Sequence, residues 1–413
     1  MNRVVITGIG AITPVGNDVK TTWDSFLKGK SGIDTIKAFD TSNHTVKIAG
    51  EVKDFEPEKK FDPKIIKRLD RCVHLCLWAT SEAVADAQID FDQFDKTQIG
   101  VIIGSGIGGL HTWEREHTKF IERGPARVSP FLIPMMIPDM TSGYVAIHWG
   151  LKGPNYTTIS ACASGAHAIG DAFRAIKYGD ANVVVTGGSE APVTPFALAG
   201  FSNMRALSRR NDEPQKASRS FDVNRDGFIM AEGAATLILE ELEFARKRGA
   251  KIYGEIVGFG ATGDGYHITA PAPEGEGARR SMERAIKEAG CRKDEINYVN
   301  THGTSTELND KFEAMAIKNL FGDHAKKLIL NATKSMIGHT LGAAGAIEAV
   351  VVLLSIRDGL VHPTLNLEEP LPECNGLDFV TGDPRKVTID YAISNSLGFG
   401  GHNATLCFKR FSD

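Results

Sequence analysis

The sequence lacks the features that mark several large classes of protein. Basic residues are not in excess, because 47 lysines and arginines face 51 aspartates and glutamates, so nucleic-acid binding is not indicated. No apolar run is long enough to span a membrane. The apolar residues Val4, Val5 and Ile6 begin almost at the N-terminus, and we therefore expect no signal or transit peptide. Together these absences predict a cytoplasmic protein with no membrane or nucleic-acid partner.

Cysteines are also few and widely separated. The chain has six of them among 413 residues, which does not indicate a disulfide framework. Cys72, His74 and Cys76 form a cluster whose spacing could suit a metal ion. Apolar residues such as Leu75 and Leu77 surround this cluster on a predicted helix, which favours buried structural thiols over a metal site. We therefore expect reduced cysteines throughout.

Short apolar runs alternate with helix-like segments along most of the chain. Strands are predicted at residues 4–7, 99–103, 157–159, 183–186 and 236–239. This alternation predicts an α/β fold with buried sheets. The length exceeds that of one simple core and suits two domains or a duplicated one. A further predicted strand at 252–258 follows a basic stretch, and we place the boundary there, between an N-terminal half (1–250) and a C-terminal half (251–413).

The two halves share a pattern that indicates duplication. In the first half, a predicted strand leads to Cys162 and then to a helix with an apolar face that ends near Gly179. In the second half, a predicted strand leads to His339 and then to an apolar helix that ends near Gly359. Each half is thus predicted to place a reactive side chain at the start of a central helix.

Two segments imitate ligand sites. Residues 104–109 fit the G-x-G-x-x-G dinucleotide pattern after a strand, but no acidic residue ends a next strand about 20 residues later. We therefore expect no nicotinamide site. Asp222, Asn224 and Asp226 resemble the start of a calcium loop, yet its twelfth position is Gly233 instead of the required glutamate. A polar, tightly turned loop is the better prediction there.

Cys162 differs from the other thiols in its surroundings. Small residues flank it, and it lies at a predicted helix N-terminus, where free N–H groups and the helix dipole favour a thiolate. A lone cysteine is more often buried and inert. Two histidines reverse that expectation, because His302 and His339 each lie in a segment rich in glycine and hydroxyl residues. The dipole at a helix start would also keep His339 neutral, so that its ring donates a hydrogen bond.

Four segments together resemble the elongating β-ketoacyl-acyl-carrier-protein synthases, in order and spacing, over essentially the whole chain. They are Thr-Ile-Ser-Ala-Cys-Ala-Ser-Gly at 158–165, His-Gly-Thr-Ser-Thr at 302–306, Lys-Ser-Met-Ile-Gly-His at 334–339 and Asn-Ser-Leu-Gly-Phe-Gly-Gly at 395–401. The similarity is greatest to the stand-alone bacterial type II enzymes. It implies a homodimer with a thiolase-like fold, in which duplicated halves form five αβαβα layers. It also implies an acyltransferase of fatty acid biosynthesis that needs no cofactor.

The resemblance implies roles for individual residues. Cys162 is expected to accept the acyl group, and its backbone N–H and that of Phe399 are expected to form the oxyanion hole. His302 and His339 are expected to serve malonyl decarboxylation and enolate stabilisation. The remaining implied roles belong to Lys334, which orients the site; Glu348, its structural support; Thr304 and Thr306, which bind the pantetheine arm; and Ile107, Phe201 and Gly400, which contact substrate, Gly400 lying beside the Phe399 gate.

Two further sites are implied by the same resemblance. No metal is expected to be required, although Asn300, Glu348, Ser394 and Asn395 match a monovalent-cation site of some relatives. The partner is expected to be an acidic acyl carrier protein that brings the acyl and malonyl thioesters. Its expected docking residues are Lys64, Lys67, Arg68 and Arg71 at helical spacing, together with Arg205. A solvated helix face is the alternative explanation of that basic cluster.

The chain departs from the family pattern in two places. Glu-Leu-Asn-Asp occupies 307–310, where Pro-x-Gly-Asp is usual, and Ala231 stands where glycine is usual. Other functions also remain open. A specialised polyketide-type ketosynthase would use the same chemistry, whereas a non-catalytic partner subunit would be expected to lack Cys162. A biosynthetic thiolase would use a second cysteine, and an initiating synthase would carry asparagine in place of His339.

Overall fold

Strands and helices alternate along the chain, as the sequence predicts. A computed structural model describes residues 1–412. Its strands are β1 (Val4–Ile12), β2 (Ile33–Thr35), β3 (Ile48–Gly50), β4 (Ile99–Gly104), β5 (Asn155–Thr158), β6 (Val183–Glu190), β7 (Gly233–Glu241), β8 (Gly254–Gly263), β9 (Ile296–Asn300), β10 (Ile329–Asn331), β11 (Leu360–Val361), β12 (Asp378–Phe379), β13 (Arg385–Lys386), β14 (Tyr391–Gly398) and β15 (His402–Lys409).

Helices cover both faces of the strands. They are α1 (Val19–Leu27), α2 (Pro63–Ile66), α3 (Arg71–Ala87), α4 (Leu110–Arg123), α5 (Leu132–Met136), α6 (Met140–Trp149), α7 (Ser164–Tyr178), α8 (Pro195–Asn203), α9 (Leu242–Lys247), α10 (Glu276–Ala289), α11 (Glu307–Phe321), α12 (Lys334–Ile337) and α13 (Ala344–Asp358). Within residues 1–412, none of them combines the length and the apolar character needed to cross a membrane. The boundary predicted after residue 250 falls between α9 and β8.

The strand order repeats between the two halves. Hydrogen bonds join the strands in the order β12-β10-β9-β14-β15-β8-β1-β7-β6-β4-β5. The five main strands of the first half are β1, β4, β5, β6 and β7, and those of the second half are β8, β9, β10, β14 and β15. If each set is numbered 1 to 5 along the chain, the strands of both halves lie in the sheet in the order 3-2-4-5-1. The halves meet where β1 pairs with β8 at Val4–Ile6. This repeated order is the arrangement that a duplicated fold requires.

Two helices lie between the two halves of the sheet. The α7 helix packs on β4 and β6, α13 packs on β7 and β14, and the two helices contact each other. On the outer faces, α3 and α6 cover the first half, and α10 covers the second with α11 against it. This gives the five αβαβα layers. Small residues permit the central contact, since a Cβ on Gly165 would lie only 2.8 Å from the Gly342 carbonyl oxygen.

Most predicted elements are present, with boundaries that packing explains. The helices predicted to end near Gly179 and Gly359 do so, and both glycines adopt the left-handed conformation, with φ of 90° and 64°. The first strand continues to Ile12, beyond the predicted residues 4–7. Glycines in this stretch hid the strand, but the fold needs them there. A Cβ on Gly10 would lie 2.0 Å from the Ala79 carbonyl oxygen, so only glycine lets α3 approach β1.

The two segments expected to be structural have structural contacts. Cys72 and Cys76 are each 1% exposed on α3, which confirms the prediction of buried thiols. The ring of His74 is within hydrogen-bond distance of the Ile66 carbonyl oxygen, at 2.9 Å. Asp222 accepts hydrogen bonds from the backbone N–H groups of Asn224, Glu368 and Glu369. The calcium-like segment is therefore a turn tied to a neighbouring loop.

Candidate active site

The first half of the chain delivers Cys162 to the base of α7. A single turn over Ala161–Ala163 carries the thiol just before α7 begins at Ser164. Ala161 has a φ of 51°, in the left-handed region that a β-carbon disfavours by about 1–2 kcal/mol. The Ser164 hydroxyl holds the turn, because it accepts from the Ser160 N–H at 2.9 Å and donates to the Ala161 carbonyl at 2.7 Å. Strain of this kind is found at sites where a side chain must be aimed.

The thiol of Cys162 is neutral at physiological pH in this environment. It is 8% exposed, and burial raises its pKa to about 11. The Lys334 charge and the backbone N–H of Phe399, which hydrogen-bonds to the sulfur, oppose this rise in pKa. Backbone N–H groups at this turn do favour the thiolate, as the sequence analysis expects, but desolvation outweighs them. The Phe399 contact does bring the expected oxyanion donor to the sulfur.

The second half delivers two histidines beside the apolar cluster of Cys162, since the ring centroid of Phe228 in that cluster lies 5.4 Å from that of His339. His302 follows β9, and His339 lies between α12 and α13. Their ring centroids are 5.3 Å apart with the planes nearly perpendicular, at 85°. Burial lowers the pKa of both imidazoles well below its usual value, and the nearby Lys334 charge lowers both pKa values further. Both rings are therefore neutral, as predicted for His339, although burial and Lys334 are the cause instead of a helix dipole.

Hydrogen bonds fix which nitrogen of each ring carries the proton. The Leu341 N–H donates to His339 Nδ1 at 3.2 Å. His339 Nδ1 must therefore be the unprotonated nitrogen, and Nε2 carries the hydrogen. Within residues 1–412, His339 Nε2 has no hydrogen-bond partner. Lys334 Nζ lies 3.3 Å from His302 Nδ1, and because an ammonium can only donate, His302 also carries its hydrogen on Nε2. The site thus contains two neutral Nε2–H donors.

Lys334 is the central cation of the site. It is 2% exposed, and its Nζ donates to the His302 carbonyl at 2.7 Å and to Glu348 Oε1 at 2.5 Å. Burial raises the pKa of Glu348 to about 7, and the Lys334 charge opposes this rise. The structure thus brings Glu348 into contact with Lys334, the residue that the sequence analysis expects it to support. A buried ion pair of this kind fixes geometry more reliably than it adds stability.

Glu313 is a site residue that the sequence analysis missed. It lies on α11, is fully buried, and accepts the backbone N–H groups of His302 at 2.8 Å and Gly303 at 2.9 Å. These bonds hold the turn that aims His302. Burial raises the pKa of Glu313 to about 7, and the same N–H groups oppose the rise. The sequence does contain a signal for it, because Glu313 lies next to apolar Ala314 and four residues before Ile317. This spacing places a carboxylate on the apolar face of the helix.

The residues expected to contact substrate lie next to His302 in the chain or against the apolar cluster of Cys162. The Thr304 and Thr306 hydroxyls lie 2.9 Å apart, close to His302 in the chain. Ile107 and Phe201 pack against the apolar cluster that contains Cys162. That cluster forms one wall beside the thiol.

The Phe399 loop packs against the turn that carries Cys162. Phe399, Gly400 and Gly401 connect β14 to β15, and the two glycines have φ of 84° and 74°. An added Cβ on Gly398 would lie 2.7 Å from the Ser160 carbonyl oxygen. The loop therefore rests directly on the turn that carries Cys162, and only glycine permits that approach.

Comparison with known proteins agrees with this geometry. Residues 1–245 match the N-terminal domain of the beta-ketoacyl synthase family, and residues 253–368 match its C-terminal domain. The chain belongs to the beta-ketoacyl synthase family. It is 54% identical over 409 residues to the 3-oxoacyl-[acyl-carrier-protein] synthase 2 of Staphylococcus aureus (strain COL), covering 99% of this synthase and 98% of that relative. The enzyme of the same name from Synechocystis sp. is 51% identical over 409 residues, with the same coverage of both chains.

Solved structures with this fold include other ketosynthases. A beta-ketoacyl synthase from Burkholderia phymatum superposes with a TM-score of 0.93 at 36% identity, over 100% of both chains. A type II polyketide ketosynthase, solved in complex with its acyl-carrier protein, superposes with a TM-score of 0.91 at 31% identity, also over 100% of both chains. The thiolase-like fold that the sequence predicts is thereby confirmed for the synthase.

The departures from the family pattern leave the synthase site intact. Asp310 accepts the backbone N–H groups of Phe221 at 2.8 Å and Ser305 at 3.1 Å, and so anchors the turn after His302. The Ala231 N–H donates to the His339 carbonyl at 3.0 Å. Both altered segments therefore support the catalytic turns through contacts that do not depend on the missing proline and glycine.

The residues expected to bind a cation fit that purpose in part. Within the described chain, Asn300 Oδ1, Glu348 Oε2 and Ser394 Oγ are buried without a hydrogen-bond partner. Ser394 pairs with Asn300 across adjacent strands. Buried oxygens without a donor suit a monovalent cation. Asn395 is different, because its amide donates to Glu313 at 3.2 Å and accepts from the Thr405 hydroxyl at 3.0 Å. Its side chain is thus engaged elsewhere.

The basic cluster of the synthase is smaller than predicted. Lys64, Lys67 and Arg68 are exposed, as is Arg205. The helix that carries Lys64 is only one turn long, at Pro63–Ile66, so the cluster does not follow one helix face. Arg71 begins a different helix and forms a bidentate pair with Glu232, both bonds being 2.7 Å. Arg71 is therefore committed within the chain, which corrects its assignment to docking.

Proposed function

We propose that this synthase elongates fatty acyl chains by decarboxylative condensation of an acyl thioester with malonyl-acyl-carrier-protein, giving a 3-oxoacyl product. The observation that carries the proposal is the pair of neutral imidazoles, each with its hydrogen on Nε2, beside Lys334, whose charge also acts on the Cys162 thiol. A nucleophile alone would suit many acyl transfers. Two neutral donors beside it suit a reaction that also creates an enolate oxygen.

The first step would load the acyl group on Cys162. The sulfur attacks the thioester carbonyl, the bond to the carrier thiol breaks, and the proton of Cys162 passes to the departing sulfur. The carbonyl oxygen becomes negative on the way. Backbone N–H groups of Cys162 and Phe399 would stabilise that oxygen, which is supported by the contact of the Phe399 N–H with the sulfur.

The second step would occur at the histidines. Malonyl thioester loses its carboxylate as carbon dioxide, and the electron pair of the broken carbon–carbon bond becomes an enolate. The Nε2–H groups of His302 and His339 would donate to the enolate oxygen. The enolate carbon then attacks the acyl-Cys162 carbonyl, a carbon–carbon bond forms, and the Cys162 thiolate leaves and is reprotonated from solvent. Lys334 and Glu348 would hold the histidines without touching substrate.

The same proposal assigns the substrate contacts. Thr304 and Thr306 would bind the pantetheine arm through their hydroxyls, and Ile107 and Phe201 would line the acyl pocket. Phe399 would act as a gate, supported by the left-handed glycines that follow it, including Gly400. Asn300, Glu348 and Ser394 would hold a monovalent cation, which would supply a positive charge beside the buried carboxylate.

The proposed partners are an acyl carrier protein and a second copy of the chain. Carrier docking on Lys64, Lys67, Arg68 and Arg205 is supported by their exposure and charge. Dimerisation is supported by β5, which ends the sheet and exposes Tyr156, 44% accessible, with Ile159 beside it at 59%. An uncovered edge strand with apolar side chains favours pairing with another strand. A cytoplasmic location, which suits the six free cysteines, completes the proposal.

Two alternatives, a polyketide-type ketosynthase and a non-catalytic partner subunit, are less well supported. The chain is 54% identical to a relative named 3-oxoacyl-[acyl-carrier-protein] synthase 2 and 31% identical to the polyketide ketosynthase. A non-catalytic subunit would need neither the strained turn at Ala161, which positions Cys162, nor the Phe399 N–H, which contacts its sulfur.

The direct test is to incubate the protein with an acyl-carrier thioester and malonyl-carrier protein, and to follow both protein and product by mass spectrometry. We expect an acyl adduct on Cys162 and then a 3-oxoacyl product two carbons longer. Cys162→Ala should give neither. An unmodified Cys162 with no product, from folded protein, would contradict the proposed function.

A further inference from the structure

Glu190 is a buried carboxylate that the proposed chemistry does not use. It ends β6, is 0% exposed, and accepts five hydrogen bonds. Its Oε1 accepts from the Ser105 hydroxyl at 3.0 Å and from the N–H groups of Ile107 at 3.1 Å and Gly108 at 3.2 Å, and its Oε2 accepts from the N–H groups of Gly106 at 2.6 Å and Gly342 at 3.1 Å.

Four of these five donors belong to the glycine-rich segment 104–109. The N–H groups of such a loop can bind an external phosphate. Here the segment with the dinucleotide-like pattern binds an internal anion, the Glu190 carboxylate. Burial raises the pKa of Glu190 and the N–H bonds oppose this rise. The N–H groups of Gly106, Ile107, Gly108 and Gly342 can only donate, and each of them therefore favours the ionised carboxylate.

The two oxygens of Glu190 face two different parts of the site. Ile107, held by Oε1, packs in the apolar cluster that contains Cys162. Gly342, held by Oε2, follows Leu341, whose N–H fixes the tautomer of His339. The fit is tight, because a Cβ on Gly342 would lie 2.6 Å from Glu190 Oε2. Glu190 therefore bridges the acyl pocket wall and the turn that orients His339.

We propose that Glu190 is a positioning residue, which locks the acyl-pocket loop to the Leu341–Gly342 turn and so keeps the Nε2–H of His339 aimed at the reacting thioester. This inference rests on the proposed function, because it concerns the decarboxylation step. The charge of Glu190 has a second, separate effect, since it raises the pKa of the Cys162 thiol. Removing the charge should thus slow one step and make Cys162 more reactive.

Glu190→Gln tests both effects. Glutamine keeps the shape of the side chain but replaces one acceptor oxygen by an NH₂ donor. That NH₂ must face either the N–H groups of Gly106 and Gly342 or those of Ile107 and Gly108, and cannot accept from them. In a Cys162→Gln background, we expect the kcat for carbon dioxide release from malonyl-carrier protein to fall about tenfold or more, with KM changed by less than about twofold. In the background that retains Cys162, we expect its alkylation by iodoacetamide at pH 8 to accelerate about twofold or more, because loss of the Glu190 charge lowers the pKa of the thiol.

Two further variants separate positioning from general stability. Glu190→Asp keeps the charge but is one methylene too short to hold both segments, so carbon dioxide release should fall while the alkylation rate stays unchanged. Glu240→Gln is the matched control, because Glu240 is a fully buried carboxylate in the same sheet, paired with Arg248 away from the site. Per folded molecule, Glu240→Gln should leave both rates within about twofold of the parent.

The outcomes distinguish this inference from the proposed function. If the Cys162→Gln parent releases no carbon dioxide, the proposed function itself fails. If the parent is active and Glu190→Gln releases carbon dioxide at the same rate, only the role of Glu190 fails. A parallel loss of decarboxylation and alkylation, or failure of both Glu190 variants to fold, would make Glu190 a purely architectural residue and would also overturn the inference.

Discussion

The reactive side chains share one physical property, which is that burial keeps them uncharged. The Cys162 thiol has a pKa of about 11, and the pKa values of His302 and His339 lie well below the usual imidazole value. A buried acid or base resists forming its charged state. The positive charge of Lys334 lowers all three pKa values. It therefore favours the neutral imidazoles but opposes the effect of burial on the thiol. Acyl loading is therefore expected to begin from a thiol, with no imidazolium available at neutral pH.

The ionisation of Cys162 gives the first prediction. A thiol with a raised pKa is almost wholly protonated at pH 7, and its thiolate fraction grows as the pH approaches that pKa. The alkylation rate of Cys162, followed by peptide mass spectrometry, should therefore rise about tenfold per pH unit between about pH 7 and pH 10. Cys291 is an internal control, because its hydrogen bond with Cys407 lowers its pKa, and its rate should level off at lower pH. A plateau at Cys162 by about pH 8 would contradict this account.

Ile107 gives a second prediction at this scale. Its side chain packs in the apolar cluster with Cys162 and Phe201, where a growing acyl chain would lie. Ile107→Phe should reduce kcat/KM for long acyl primers about tenfold or more relative to short ones, because an added ring in a packed pocket costs about 1–3 kcal/mol. A primer series from short to long chains measures this. An equal loss at every chain length would remove Ile107 from the acyl pocket.

At the scale of secondary-structure elements, the sequence predicted the central helices well and the turns before them poorly. Their apolar faces and the terminal glycines Gly179 and Gly359 are local signals. The turn of Cys162 and the state of His339 depend on contacts from distant segments, such as the Phe399 N–H near the sulfur. No periodicity encodes such contacts, so the sequence identified Cys162 and the N–H groups that favour its thiolate, but not the burial that raises its pKa.

The same reasoning explains the other differences. Glu313 was missed because its partners, the N–H groups of His302 and Gly303, come together only in the folded turn. Arg71 was assigned to docking by its spacing from Lys67, but its partner Glu232 lies far away in sequence. Sequence motifs thus identified the reactive residues, whereas the partners of the charged side chains could be identified only in the folded structure.

The loop between β14 and β15 gives a prediction at the element scale. Gly401 has a φ of 74°, and an added Cβ would lie 2.7 Å from the Asp264 Cβ. Gly401→Ala should therefore shift the loop, move the Phe399 N–H away from Cys162, and slow acylation about tenfold or more. Gly263→Ala on neighbouring β8 is the control, since nothing lies within 4 Å of its added Cβ. Intact-mass time courses compare the two variants, and equal rates would show that the loop does not serve acylation.

At the scale of the whole molecule, the duplicated fold explains why one site draws on both halves. The repeated strand order places α7 and α13 side by side at its centre. Cys162 precedes one of these helices, and His339 precedes the other. The two halves must therefore be correctly packed before the nucleophile and the hydrogen-bond donors meet, and the reaction belongs to neither half alone.

The surface gives a prediction about the carrier protein. Reversing Lys67 and Arg68 to glutamate should raise KM for carrier-bound acyl substrate about five- to tenfold at low salt, because an acidic partner would lose its steering field. KM for a small pantetheine thioester should change by less than about twofold. Lys326→Glu with Lys327→Glu, also exposed, is the control pair. The basic patch has no docking role if carrier-bound and free substrates respond alike, or if the control pair has the same effect.

The central claim is that the thiol and the imidazoles serve different steps. Cys162→Gln should form no acyl adduct and no condensation product, yet still release carbon dioxide from malonyl-carrier protein. His302→Ala and His339→Ala should slow that release about a hundredfold or more, since each removes one enolate donor. At least one of these histidine variants should still acylate Cys162. The decisive measurement pairs carbon dioxide release with intact-mass acylation on all three folded variants. A Cys162→Gln variant that is folded, dimeric and inert in both assays would contradict the division of labour.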